Sequence, residues 1–562
     1  MKDAFLKTPE TDSVGDIPWQ DYPRPQLRRD SYLCLNGLWD FAVSREEFIP
    51  AYPQKIRVPF PPESPLSGVV GGHKKGEFLH YRRFFTLPEG FVQDRVLLHL
   101  GAVDQKAWVK VNGRLATIHE GGYLPIDLDI TEMLRSGENE LQVLAVDDLD
   151  KSYPYGKQTD KPKGMWYTSF SGIWQTVWLE SVPRDYIRSL RISTTAKVVT
   201  IEVQGGLEDK ILTYDGKTVH FRGDRVTIVT DGQNLGSPEN PKLTFFTLES
   251  GGDTVHSYFA LRTLEIKQAG GKPRLLLNGK PYFFHGLLDQ GYWPDGLVLP
   301  ASPQGYRRDI LGAKELGVNT LRKHIKVEPE LFYYECDRLG MIVWQDMVNN
   351  GSYSYVRDTA LPNLGFQKRD DKAFRVSRDV KEKFLTQAEQ TVKHLYNHPS
   401  ICQWTIFNEA WGQFDADEVT QKFQLWDRSR LIDSTSGWFQ QRKNPMESLH
   451  IYFKPVKLPR SRKPIALTEF GGIVCRIREH SVSKGKPYGY GQCKTREEFQ
   501  KRFLELYETQ IVPAIAQGLC ACIYTQISDV ENEVNGLFTY DRRVCKLEKE
   551  PMQELAKKLR IP

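Results

Sequence analysis

The hydrophobic rhythm of this 562-residue chain changes near residue 267. Before that point apolar residues alternate over short runs broken by turn residues, and little has helical period. RVLLHLGAV (95–103) alternates, and ENELQVLAV (138–146) and IWQTVWLESV (173–182) follow. AWVKVNGRLA (107–116) carries Asn112-Gly113, a pair suited to the left-handed backbone of a two-residue hairpin. Period two buries one face of a sheet, so residues 1–182 are expected to form an antiparallel β-sandwich. Residues 183–266, with IRSLRISTT, KVVTIEVQG, DRVTIVT and SYFALRTLEI, suit a smaller immunoglobulin-like sandwich.

Beyond residue 267 apolar runs alternate with helical stretches. Ser302-Pro303 starts a helix that Gly317 ends, and PELFYYECDRLG (329–340) is a second. A long amphipathic helix is expected over about 377–396, with Val380, Phe384, Ala388, Val392 and Leu395 on one face. Thr495 and Glu498 form a capping box before a helix over 495–517. Between the helices lie VNTLRKHI, MIVWQDM, ICQWTIFNE, SLHIYF (448–453), IALTEF and LCACIYTQ. Repeated βα units over 267–562 predict a (β/α)₈ TIM barrel.

Composition excludes several function classes. Net charge is +5 with no long basic run, which argues against nucleic acid as a partner. No apolar run approaches ~20 residues, and MKDAFLKTPETD lacks an apolar signal core, so neither a membrane span nor a secretory signal is expected. The eight cysteines show neither zinc spacing nor disulfide density and read as reduced core residues of a cytoplasmic protein. No phosphate loop, dinucleotide glycine motif or HExxH occurs, so no cofactor and no metal are expected. The aromatic share of 12%, with 12 Trp, suits stacking on sugar rings and equally suits large cores.

Barrel chemistry sits at the C-terminal ends of the strands. TIFNEAW ends in Glu409 and ALTEFGG in Glu469, about three βα units apart, so barrel closure brings them face to face. Two carboxyls flanking one pocket are what glycoside hydrolysis needs. Trp404 and Trp411 are expected to wall Glu409 and raise its pKa, and Gly471 and Gly472 to leave room for sugar beside Glu469. Asn408 is placed to hold a sugar hydroxyl.

NHPSICQWTIFNEA, LTEFGG, LGVNTLRKH and LFYYECDRLGMIVWQD resemble the catalytic domain of glycoside hydrolase family 2. LNGLWDF, YRRFFTLP, HEGGYLPIDLDIT and SGIWQTVWLE resemble that family's jelly-roll, sugar-binding sandwich, and SPENPKLTFFTL its middle domain. The resemblance implies a retaining exo-β-glycosidase acting on oligosaccharides or glycosides, with Glu409 as acid/base and Glu469 as nucleophile. It implies Asn408 as ligand of the 2-hydroxyl, Arg322 as neighbour of the nucleophile and Tyr452 as its orienter. His398 falls in the family's Asn-His-Pro motif, with a structural role and a sugar contact both open. Asp289 and Gln290 stand where hydroxyl ligands are expected, a loop cap being the alternative for Asp289.

Departures bear on the substrate. His324 comes one place earlier than the family's second-strand His, and Tyr524 stands where a Trp platform is usual. Trp344 and Asp346 are similar to positions in the family's mannosidases. ENEVNGLFTYDR (531–542) lacks the Lys of the uronate-binding Asn-x-Lys motif, which argues against a uronic acid. From family frequency and the missing uronate motif, the β-galactosidase type is the first expectation, with β-mannosidase, β-glucuronidase and furanosidase as alternatives and an inactive carbohydrate-binding protein as a rival of another class. Large sandwich surfaces also suit a homo-oligomer.

Overall fold

The computed structural model describes residues 5–69, 71–452 and 454–561. In the first sandwich a six-stranded antiparallel sheet runs Gln54–Val58, Gly37–Ser44, Phe78–Thr86, Glu138–Val146, Lys106–Val111 and Arg114–Glu120 in spatial order. A four-stranded sheet, including Arg95–Leu100 and Val177–Val182, faces it. Alternate residues turn inward, and Trp39, Tyr81, Val109, Val143, Leu98 and Leu179 fill the space between. The expected hairpin forms at Asn112 (φ 50°) and Gly113 (φ 78°).

Ile187–Thr194, Val198–Gly205 and Arg225–Val229 form one sheet of the middle sandwich. Lys217–Arg222, Asp209–Tyr214, Thr244–Ser250 and Asp253–Phe259 form the other. The buried Arg29 ties the two sandwiches together, donating to Glu180 at 2.7 Å and to Asp253 at 2.8 Å.

The barrel strands are β1 (Phe284–Asp289), β2 (Thr320–Lys323), β3 (Ile342–Asp346), β4 (Ile401–Asn408), β5 (Leu431–Ser436), β6 (Glu447–Ile451), β7 (Ile465–Gly471) and β8 (Leu519–Thr525). Phe453, at the end of the run expected as the sixth strand, lies outside the described residues. All pairings are parallel, in the order β5-β4-β3-β2-β1-β8-β7-β6. No ladder joins β5 to β6 among the described residues; side chains bridge that junction, with Ser448 Oγ donating to Asp433 Oδ2 (2.6 Å) and Ser436 Oγ 2.9 Å from His450 Nε2. The strand Lys272–Leu277 closes the floor, where Leu275 and Leu277 share a core with Phe284, Leu288 and Ile523.

Helices Gln304–Glu315, Glu330–Leu339 and Arg378–Leu395 form within the expected stretches; the first has Pro303, not Ser302, at its N-cap and no side-chain capping bond, and the last has Ser377 Oγ accepting from Val380 N. The capping box holds too: Thr495 Oγ1 accepts from Glu498 N, and Glu498 Oε2 from Lys494 N. That helix changes to a π turn at Tyr507–Ile511 before resuming as Val512–Gln517. The departure from a regular (β/α)₈ pattern is that no helix follows β5 or β6 among the described residues. A helical crossover needs about a dozen residues or more; 437–446 is shorter, and 452–464 carries Pro455, Pro459 and Pro464.

Candidate active site

Arg322, at the end of β2, is the hub of the barrel mouth and is wholly buried. Its Nε donates to Asp346 Oδ1 (2.9 Å), Nη1 to Glu469 Oε1 (3.0 Å) and to Thr468 O (3.0 Å), and Nη2 to Asn408 Oδ1 (2.9 Å). One guanidinium thus fixes side chains from β3, β4 and β7. It also orients the Asn408 amide, because only the oxygen can face the guanidinium. The Nδ2 donor of Asn408 has no partner among the described residues.

Glu469 has both oxygens held: Oε1 by Arg322 and Oε2 by the hydroxyl of Tyr452. Burial alone would raise its pKa, but the neighbouring His450 and Arg322 outweigh burial and hold it down at about 2. Glu469 is therefore a carboxylate across the ordinary pH range.

Glu409 directly follows β4, in the left-handed backbone region (φ 51°), as does Ala410 (φ 60°). A non-glycine pair held there stores strain, and the bond from Glu409 N to Ser436 O (3.0 Å) anchors the turn to β5. Glu409 Oε1 lies 2.8 Å from His450 Nδ1. His450 Nε2 in turn lies 3.7 Å from Glu469 Oε1, so one imidazole spans both carboxyls. One oxygen of Glu409, one nitrogen of His450 and one oxygen of Glu469 all lie within 4.8 Å of one another. That set has the donor types of a cation site, but Arg322 already places a fixed positive charge against Glu469, which disfavours a second.

His324 Nδ1 donates to Asp346 Oδ2 at 2.6 Å. Burial holds its pKa well below the usual value against the pull of Glu469, and Lys157 and Arg322 add to the lowering. The neutral ring leaves Nε2 as an acceptor. Asp346 is spent on Arg322 and His324, so it reaches a ligand only through them.

Five expected sugar contacts have other surroundings. His398, three residues before β4, is wholly buried, paired with Asp337 (2.7 Å) and Glu330 (3.6 Å). Tyr524 turns outward onto Phe503 and Phe470, its hydroxyl accepting from Ile473 N. Trp344 is wholly buried beneath the site, packed on Phe284. Asp289 pairs with Lys323 (2.7 Å) and accepts from Gly291 N, which is the loop-cap alternative. Gln290 is buried with Oε1 unpartnered among the described residues.

The aromatic wall also differs. Trp404 faces outward, its Nε1 on Asp427 (2.9 Å). Gly471 makes room for the Tyr524 ring, into which a Cβ would run, and not for a ligand.

The first sandwich completes the rim, which no barrel motif signalled. Tyr155 N and Gly156 N donate to Asn349 O at 3.1 and 3.2 Å. Trp166 meets Trp411 and Tyr353 edge-on, with centroids 5.0 and 5.1 Å apart. The Tyr167 hydroxyl donates to Glu533 Oε2 at 2.5 Å. Residues 155–168 thereby touch the loops after β3, β4 and β8. Lys157, within this segment, is buried, as are His450 and Glu533.

His398 gives a test that separates structure from sugar contact. Burial would lower its pKa, but the pair with Asp337 and Glu330 lifts it from 6.5 to about 9. The pair's contribution to stability is therefore complete below about 6.5 and fades as pH rises through about 9. His398→Ala should cost roughly 3–5 kcal/mol near neutral pH by stranding buried carboxylates. The stability difference between variant and native protein should shrink above pH 9 in denaturant titrations, with KM of the folded variant unchanged.

The model of the glycosyl hydrolases family 2 TIM barrel domain matches residues 269–558, and that of the family's sugar-binding domain matches 72–183. The β-glucuronidase of Felis catus is 26% identical over 453 residues, covering 69% of this chain and 65% of that protein. The β-galactosidase of Thermoanaerobacter pseudethanolicus is 25% identical over 468 residues, covering 73% and 58%. The matched part is thus less than two thirds of either relative's length. Among solved structures, the β-D-glucuronidase of Dictyoglomus thermophilum aligns with TM-score 0.72 at 18% identity, over 96% of this chain and 98% of that one. A β-galacturonidase of Eisenbergiella tayi bound to galacturonate aligns with TM-score 0.68 at 18% identity, over 96% and 99%. At such identities the structural likeness is one of fold. The two family models together cover the sandwich and the barrel that frame the site, and the chain belongs to glycoside hydrolase family 2.

Proposed function

We propose that this protein is a retaining exo-β-glycosidase whose substrate is a terminal β-hexuronide, in the first instance a β-glucuronide. The observation that carries the mechanism is the pair Glu409 and Glu469, with oxygens within 4.8 Å of each other and one of the two held ionised. Retaining enzymes need their carboxyls only about 5–5.5 Å apart, whereas inverting ones leave room for a water at about 6.5–9.5 Å.

Glu469 attacks the anomeric carbon while Glu409 protonates the departing oxygen, and the bond from carbon to aglycone breaks. Arg322 and Tyr452 aim the nucleophile by holding one oxygen each. Glu409, now a carboxylate, accepts a hydrogen bond from His450 and takes a proton from water, which attacks the same carbon and expels Glu469. Two inversions give net retention. Asn408 Nδ2 is the donor offered to the sugar's 2-hydroxyl, an interaction that strengthens as the oxocarbenium ion forms. The aromatic rim of Trp166, Trp411 and Tyr353 suits a pocket for a chain end.

The uronide reading replaces the β-galactoside expectation, which rested on family frequency and on the missing Lys after β8. It is supported by the relatives, since β-glucuronidases from cat and human match at 26% and 24% identity. A panel of 4-nitrophenyl β-glucuronide, β-galacturonide, β-galactoside, β-glucoside and β-mannoside tests it. A uronide should lead in kcat/KM by about tenfold or more, some 1.4 kcal/mol of transition-state binding. A leading galactoside would sink the uronide reading and leave the glycosidase reading standing. Inertness toward every glycoside would sink both.

A further inference from the structure

Lys157 belongs to the first sandwich, yet it sits in the barrel mouth and is only 7% exposed. Its Nζ makes no hydrogen bond and no ion pair among the described residues; its one close partner is the Trp166 ring, 5.8 Å away at the centroid. A buried ammonium without an anion is costly, so such a group is expected to have a ligand. The backbone around it is locked in place. Tyr167 N donates to Lys157 O (2.9 Å), and Gly156 N to Asn349 O (3.2 Å). Gly156, at φ 69°, lies so close to Ile325 O that a Cβ would sit 2.9 Å from it.

The ammonium is in electrostatic reach of His324 after β2 and of Glu533 after β8. These positions flank β1 on either side of the mouth. Glu533 is not a free counter-ion: the Tyr167 hydroxyl and Asn535 Nδ2 occupy its two oxygens, and burial raises its pKa, favouring the neutral acid. Arg322 is committed to Asp346, Glu469 and Asn408, and the buried Lys323 and Lys326 are paired with Asp289 and Glu328.

We propose that Lys157, delivered by the sandwich and not by the barrel, is the cation that binds the carboxylate on C5 of the sugar. This rests on the hexuronide reading and adds to it the residue that sets specificity. It also accounts for a uronide specificity in a barrel whose loop after β8 offers no Lys at the expected place.

The test compares 4-nitrophenyl β-D-glucuronide with 4-nitrophenyl β-D-glucoside, which differ only in carboxylate against hydroxymethyl at C5. Native enzyme, Lys157→Met, Lys157→Gln and Lys157→Arg are assayed on both. The uronide-to-glucoside ratio of kcat/KM should fall about 30-fold or more in the Met and Gln variants, the scale of a charge-assisted hydrogen bond. The Arg variant should recover part of that ratio. A parallel fall on both substrates, or an unchanged ratio, would overturn the proposal, because a merely structural lysine has no reason to distinguish the two sugars. Loss of the hexuronide reading itself would show differently, as a native enzyme that prefers the glucoside before any residue is changed. Should the Met variant not fold, the Gln and Arg variants carry the same comparison.

Discussion

Glu469→Gln should lower kcat/KM by on the order of 10⁴-fold or more while leaving the fold intact. The amide keeps the shape of the side chain, and its oxygen can still accept from Arg322 Nη1. It cannot attack carbon as a carboxylate does, so the covalent step disappears, and KM of any residual activity should move little. The same substitution removes a carboxylate whose depressed pKa stabilises the fold above pH 4.5 and ceases to as pH falls toward 2. The variant should accordingly lose some stability at neutral pH and be less sensitive to acid. A 2-deoxy-2-fluoro glycosyl fluoride should label the native protein at Glu469, and peptide mass mapping would read the ester directly. Full activity in the variant, or a label on another carboxyl, would refute the assignment. A chain that binds the sugar but never forms the ester would be the carbohydrate-binding rival.

Glu409→Gln should produce a different signature, because Glu409 acts on the leaving group in the first step and on water in the second. With an alkyl glycoside the loss should be about 10²–10⁴-fold, the usual range for removing a general acid. With a 2,4-dinitrophenyl glycoside the first step needs no proton, so the ester should form rapidly and then accumulate. A burst of dinitrophenolate followed by a slow steady state is the expected trace. Azide needs no general base and should restore turnover, yielding a glycosyl azide of retained β-configuration. Equal losses on both leaving groups, with no azide effect, would remove Glu409 from the acid/base role. The His450 contact should survive, since a Gln carbonyl also accepts from Nδ1.

Both glutamates were legible because a carboxyl at the end of a buried strand has few other uses, and each strand could be found from its apolar run. Caps and the Asn112-Gly113 turn were legible because their physics is local. The residues around the glutamates were harder to place because inward and outward positions do not alternate cleanly here. Pairing shifts register between Val343 and Trp344, between Leu449 and His450, and between Leu467 and Phe470. One such shift exchanges the faces of the strand that follows. Tyr524 and Trp404 look like pocket residues by composition, yet they pack outward. His450 sits in an ordinary alternating run, SLHIYF, and acquires its meaning only when β6 meets β4 and β7. Lys157 lies in a polar loop of another domain, and its lack of a partner is a fact of tertiary structure that no spacing encodes.

Seven junctions of the barrel are zipped by backbone hydrogen bonds, and the one between β5 and β6 is not, among the described residues. A ladder resists shear through many equivalent bonds, whereas a clasp of a few side chains makes that arc the compliant part of the ring. The clasp includes Ser436 and His450, and His450 is also the residue that grips Glu409. Spreading of this arc therefore moves the acid relative to the nucleophile. The spacing that decides between one inversion and two is set at the softest point of the barrel.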